Sequence, residues 1–330
     1  MKIFTIAKGS TGFDGLKRGE RERPTAGPGQ VLVRMRAASL NFRDLAILAG
    51  KYFRGPLEHD TIPLSDGAGE VAAVGPGVTE FSVGDRVVAT FTQGHPPAAL
   101  GFPLDGCLTE YAVFAADGLL RLPPHLSFEE AATLPCAGVT VWNALMHGPR
   151  SLKPGETVLA LGTGGVSIFA LLLGKVTGAR VIITSSSDAK LERARALGAD
   201  HCINYKTTPD WDKKVLEITG GQGAEHVIDT GGVGTLPKSY VAVAANGLVS
   251  VIGVMTRPEG DLSPYPLMTK FAMVRGIFVG AREHFDGLMK AVAVNELHPV
   301  IDKTFDFDAA AEAFKYLKSA QHFGKVVIKI

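Results

Sequence analysis

The string Gly162-Thr163-Gly164-Gly165-Val166-Ser167 lies between two apolar runs, residues 157–161 and 168–174. Glycines at such a turn allow a tight backbone and let N–H groups at a helix N-terminus approach a pyrophosphate closely. Ser167 stands where the third glycine of a G-x-G-x-x-G pattern would be, so the string alone is weak evidence. Its context is stronger, because a second apolar strand, residues 179–184, follows on schedule and ends in Ser185-Ser186-Ser187. A site selective for NAD(H) usually places Asp or Glu there, to accept the ribose hydroxyls and repel a 2′-phosphate. Ser185 and Ser186 offer hydroxyl donors instead, and Lys190 adds a positive charge one helical turn on. The pattern therefore predicts NADP(H), with NAD(H) as the second choice. The plainer alternative is a solvated serine loop with Lys190 as an ordinary surface charge.

The elements that must position these residues follow from length and punctuation. A chain of 330 residues corresponds to about two domains. Its 46% hydrophobic and 20% charged content fits a globular protein with a sizeable core. A net charge of +1 gives no electrostatic footprint for nucleic acid or an acidic membrane. The three cysteines, Cys107, Cys136 and Cys202, form no C-x-x-C pair and no disulfide framework, which suits a reducing compartment. No secretory leader is read at the N-terminus, and the uncharged stretch 157–174 reads as buried strand, turn and helix rather than a membrane span. Cytoplasm is the expected location. Residues 1–123 read as β-rich, with Pro/Gly punctuation and one short helix at 42–48. Pro123-Pro124 marks a boundary, and a helix starting near Ser127 follows it. Six strands are expected at 158–161, 181–184, 199–204 in part, 226–229, 248–253 and 276–279, with helices between them, which is the rhythm of a doubly wound parallel sheet. The tail adds two helices and a strand at 325–328 that is expected to return to the first domain.

Several blocks together resemble the medium-chain dehydrogenase/reductase superfamily: Gly29-Gln30-Val31-Leu32-Val33, Gly67-Ala68-Gly69-Glu70-Val71, Val83-Gly84-Asp85-Arg86-Val87, Ala196-Leu197-Gly198-Ala199-Asp200 and the closing Gly324-Lys325-Val326-Val327. The resemblance spans nearly the whole chain. It implies a GroES-like catalytic domain built from both chain ends, residues 1–123 and 282–330, around a Rossmann domain at 124–281, with the active site in the cleft between them. It also implies a homodimer in which the sixth strands, Ile277-Phe278-Val279, pair across a two-fold axis.

Zinc-dependent members hold the metal with Cys, His and Cys, a soft donor set suited to an open tetrahedral site. Here the first two matching positions carry Asn41 and Ser65, and only Cys136 keeps a metal-binding side chain. His59 and His95 are the remaining substitutes, each among glycine and proline. The chain therefore resembles the zinc-free members, similar to quinone oxidoreductases and related enoyl reductases. Asn41 then faces nicotinamide or substrate with an amide donor, or caps the helix at 42–48, or does both. Arg43 either donates to a substrate oxygen or pairs with a nearby acid. Tyr52 either polarises a carbonyl or forms an aromatic wall. Thr140 matches a nicotinamide contact, and Asp66 and Asp44 read as structural. Tyr205 matches a residue beside the 2′-phosphate. Further cofactor contacts implied by the resemblance are Thr230, Ile252, Gly253, Phe278, Val279 and Lys325, besides the turn Gly162 to Val166.

Without a metal, negative charge developing on the acceptor must be met by positioned donors or spread by conjugation. The expected function is thus NADP(H)-dependent hydride transfer to a small apolar conjugated carbonyl or quinone. A zinc-independent alcohol dehydrogenase or ketone reductase is the alternative. A dinucleotide-binding sensor or structural protein is a third reading, from a different class.

Overall fold

The computed structural model describes residues 1–254 and 262–330, which divide into two compact units. The first comprises Met1–Ala137 and Ala281–Ile330, the second Gly138–Gly280. The first boundary thus lies after Ala137 rather than at Pro123-Pro124. The segment between belongs with the first unit because its short helix Phe128–Ala131 packs against the strands Gln30–Ser39 and Asp66–Val74.

The first unit is built on a seven-stranded sheet. Its central strand Gln30–Ser39 is buried apart from the exposed Gln30 and Arg34 and the half-buried Arg36. Val31, Val33 and Met35 share a core with Val71, Val87, Leu119, Phe314, Val326 and Ile328, each such burial contributing about 2 kcal/mol. The chain's last strand, Lys325–Lys329, joins this sheet, antiparallel to Gln30–Ser39 with Val327 opposite Ser39. That pairing brings Lys325 to the residues just after Ser39, where the Leu40 N–H donates to the Val326 carbonyl at 3.0 Å.

In the second unit six strands form one parallel sheet. They are β1 (Thr157–Ala160), β2 (Arg180–Ser185), β3 (His201–Asn204), β4 (Ala224–Asp229), β5 (Val243–Val251) and β6 (Met273–Gly276). Their order, β3-β2-β1-β4-β5-β6, is that of a doubly wound dinucleotide fold. Every residue of β1 is buried, as expected of a strand covered by helices on both faces. The sixth strand ends at Gly276 instead of spanning 276–279. Pairing continues one step, from the Ile277 N–H to the Val251 carbonyl, and then Val279 turns to φ 52°, which ends the extended run. Among the described residues no helix is long and apolar enough to cross a membrane.

Candidate active site

The second unit gathers its predicted cofactor residues at the carboxyl ends of its strands. After β1, Gly162 adopts φ +84°, and the helix Gly165–Thr177 begins with Gly164 as an N-cap that offers no side-chain oxygen. The first-turn N–H groups of Gly165 and Val166 are thereby left to an anion. Ser167, in place of the third glycine, braces the turn, because its buried hydroxyl donates to the Leu161 carbonyl at 2.6 Å. Gly174 on the same helix is where close packing is required, since a Cβ there would stand 2.8 Å from Val181 Cγ2.

Ser185 ends β2 and lies opposite Asn204 of β3; the Tyr205 N–H donates to the Ser185 carbonyl at 3.0 Å. Ser185, Ser186, Lys190 and Tyr205 therefore share one corner. The Ser185 hydroxyl oxygen is buried and accepts from the Ser187 N–H at 3.3 Å, while Ser187 caps the helix Asp188–Ala196. One carboxylate also belongs to this corner. Asp188 accepts from Asn204 Nδ2 at 2.8 Å. Thr230 donates to the Leu161 carbonyl at 2.9 Å, and Ile252 N–H to that of Asp229 at 2.9 Å, so both follow their strands into the same row. Gly253 cannot carry a side chain there, because a Cβ would stand 1.9 Å from the Thr230 carbonyl oxygen.

Two supports of this row were not singled out from the sequence. Asp229, fully buried, accepts from Gly231 N–H at 3.0 Å, Gly232 N–H at 2.8 Å, Thr235 Oγ1 at 2.7 Å and Ser239 Oγ at 2.6 Å. Asn143, one turn beyond the buried Thr140 on the helix Val139–Met146, donates to the Val279 carbonyl at 2.7 Å and accepts from Arg275 Nη2 at 2.9 Å. Phe278 is 51% exposed, the reverse of a packed strand residue.

In the first unit a second cluster surrounds two buried carboxylates. Asn41 precedes the helix Phe42–Leu48, and Asp44 accepts from its N–H at 2.7 Å, the reciprocal bond of a capping box. The Asn41 side chain reaches elsewhere. Lys325 Nζ donates to Asn41 Oδ1 at 2.6 Å and to the Leu40 carbonyl at 2.7 Å, and stands 3.7 Å from Asp66 Oδ2. Ser65 Oγ donates to Asp66 at 2.8 Å. Burial raises the Asp66 pKa against the pull of Lys325, Asn41 and Ser65. Burial likewise lifts Asp44 to about 6, opposed first by the Arg43 charge. The Asn41 Nδ2 is buried and meets no well-aligned acceptor, although the amide lies near enough to Asp66 to help hold its charge. Arg43 donates to the Leu100 carbonyl at 2.9 Å and packs over Phe91 and Tyr52. Tyr52 is buried against Phe53 and Phe102, with centroids at 4.6 and 5.3 Å.

This donor set does not fit zinc. The Asn41 oxygen is engaged by an ammonium, Ser65 by a carboxylate, and the Cys136 thiol is pushed up by burial and the Asp66 charge, away from the thiolate a metal needs. His95 pairs with Asp117 at 2.9 Å on the surface, and His59 is exposed.

Residues 27–124 match the model of the alcohol dehydrogenase GroES-like domain and residues 165–294 that of the zinc-binding dehydrogenases. A zinc-type alcohol dehydrogenase-like protein of Schizosaccharomyces pombe is 47% identical over 97% of this chain and 96% of its own. A 2-haloacrylate reductase of a Burkholderia species is 32% identical over 92% of this chain and 91% of its own. A crystal structure of an NAD-dependent alcohol dehydrogenase superposes with a TM-score of 0.93 at 32% identity, each chain covered in full (100%). The chain belongs to the medium-chain dehydrogenase/reductase superfamily. It is an NAD(P)H-dependent oxidoreductase with a GroES-like unit and a Rossmann-type unit.

Proposed function

We propose that this protein is a zinc-independent, NADP(H)-dependent reductase of conjugated carbonyl compounds or quinones. The Lys325–Asn41–Asp66 cluster carries the reading, because it places an ammonium among the positions where a metal's donors would stand. When bound, the cofactor supplies a hydride from nicotinamide C4. The chain supplies the rest. First-turn N–H groups of Gly165 and Val166 receive the pyrophosphate, and the Ser185 corner receives the adenosine ribose. Asn41, with its oxygen held by Lys325, presents an amide N–H to an acceptor oxygen, and conjugation spreads charge that no Lewis acid is there to take.

Cofactor choice is read from the Ser185 corner, where Ser186 and Lys190 offer a donor and a charge to a 2′-phosphate. Replacing Ser185 by Asp is expected to lower kcat/KM for NADPH about a hundredfold relative to NADH. Steady-state kinetics with both cofactors measures it, and an unchanged ratio would reject the NADP(H) reading. The alternative of an alcohol dehydrogenase is favoured by the NAD-dependent structural relative. NADPH oxidation against quinones, enals and simple ketones separates the two, with activity on simple ketones alone supporting the alternative.

We also propose a homodimer. The sheet ends at β6, and Val274 within it and Phe271 and Phe278 to either side of it in the chain are exposed by 43, 78 and 51%. Such an apolar edge invites pairing with a second copy. Light scattering is expected to give twice the chain mass of 34.8 kDa, and a monomer would refute the pairing.

A further inference from the structure

Arg43 is the second residue of the helix Phe42–Leu48, and its side chain is only 10% exposed. Its Nη1 donates to the Leu100 carbonyl at 2.9 Å, while its 4.0 Å approach to Asp44 Oδ1 is too long for a hydrogen bond. Nε and Nη2 are both buried, and neither meets an acceptor among the described residues. These two nitrogens carry the parallel N–H pair on one edge of a guanidinium, the fork that takes both oxygens of a carboxylate. The plane is held by ring contacts, with Cζ 4.8 Å from the Phe91 centroid and 5.3 Å from that of Tyr52. Arg43 is therefore fixed through its third nitrogen and two rings, with its bidentate edge unspent. Burying charged donors without an acceptor is costly, so a ligand that supplies two oxygens answers the geometry.

We propose that the Arg43 fork anchors the carboxylate of the substrate, which makes the acceptor a small 2-enoate. This rests on the conjugated-acceptor reading above. A neutral carbonyl could accept from both N–H groups on its single oxygen but would bring no charge, whereas a carboxylate meets each N–H with its own oxygen in two parallel charge-assisted bonds. Pairing with Arg43 also draws charge from the enoate, which otherwise resists hydride at C3. In the reaction the enoate gains hydride at C3 and a solvent-derived proton at C2, its C=C π bond is lost, and NADPH is oxidised to NADP⁺.

Titration calorimetry of crotonate and of its uncharged isostere crotonamide into NADP⁺-saturated protein tests the site. Crotonate is expected to bind at least about tenfold tighter than crotonamide. Arg43→Lys, which keeps the charge and removes the fork, and Arg43→Gln are both expected to erase that preference. Equal affinity of the wild-type protein for the two ligands would overturn the proposal without any variant. So would a crotonate preference that survives in Arg43→Gln. NADPH oxidation by butenone examines the reductase reading separately. Turnover of butenone without a carboxylate preference sinks the fork and keeps the reductase. A carboxylate preference with no NADPH oxidation by any acceptor sinks the reductase, and the enoate as its substrate.

Discussion

Lys325→Met is expected to lower the unfolding free energy by about 3–5 kcal/mol at pH 8, because it strands the Asp66 carboxylate in the core without its cation. Lys325 is only 3% exposed and Asp66 is fully buried, so solvent screens little of this loss. The deficit carries a pH signature. Burial already raises the Asp66 pKa in the wild-type protein, and removing Lys325 raises it further. A carboxyl whose folded pKa lies above its unfolded one binds its proton more tightly when native, so stability falls as pH rises between the two values. The gap between variant and wild type should therefore be smallest near pH 4 and widen up to the raised folded pKa. Denaturant unfolding at pH 4.5 and pH 8 checks this. A deficit under about 1 kcal/mol, or one independent of pH, would show that Lys325 does not hold the Asp66 charge. The same substitution frees the Asn41 amide to rotate, and kcat is expected to fall more than cofactor affinity.

Asp229→Ala carries the second large expected effect, on the Rossmann unit. Four donors converge on this carboxylate, two from the turn after β4 and two from the following helix and its cap. Truncation leaves them buried without an acceptor, at an expected cost of about 3–5 kcal/mol. Asp229→Asn retains one acceptor oxygen and should recover part of the loss. Because the turn abuts Gly253, the Ala variant should also weaken NADPH binding, readable by fluorescence titration. Unfolding within about 1 kcal/mol of wild type would mean the network is not what holds the turn.

Much of this was legible in the sequence because it is local. The glycine turn, the buried β1, the serine loop and the rhythm of six strands are written in adjacent residues and in periodicities of two and 3.6. The final strand's return to the first unit was legible as well, since it comes too late to extend the parallel sheet simply. The sixth strand was placed three residues late. Its apolar residues Ile277 and Val279 resemble strand, but Val279 adopts a positive φ that only the folded neighbourhood imposes. The boundary at Pro123-Pro124 marks a true break in the chain, yet the next helix packs back on the first unit, which no local signal reports. Asn41 was legible as a candidate, but its partner Lys325 is 284 residues away. Asp229 looked like any strand-end acid, and the unpaired edge of Arg43 exists only once Leu100, Phe91 and Tyr52 surround it.

The central claim is that this chain reduces a conjugated acceptor with NADPH and without zinc. Its most direct test is NADPH oxidation by an enone such as butenone, followed in protein dialysed exhaustively against a chelator. The account predicts the same rate before and after dialysis. Loss of turnover on dialysis, restored by one equivalent of zinc, would contradict it.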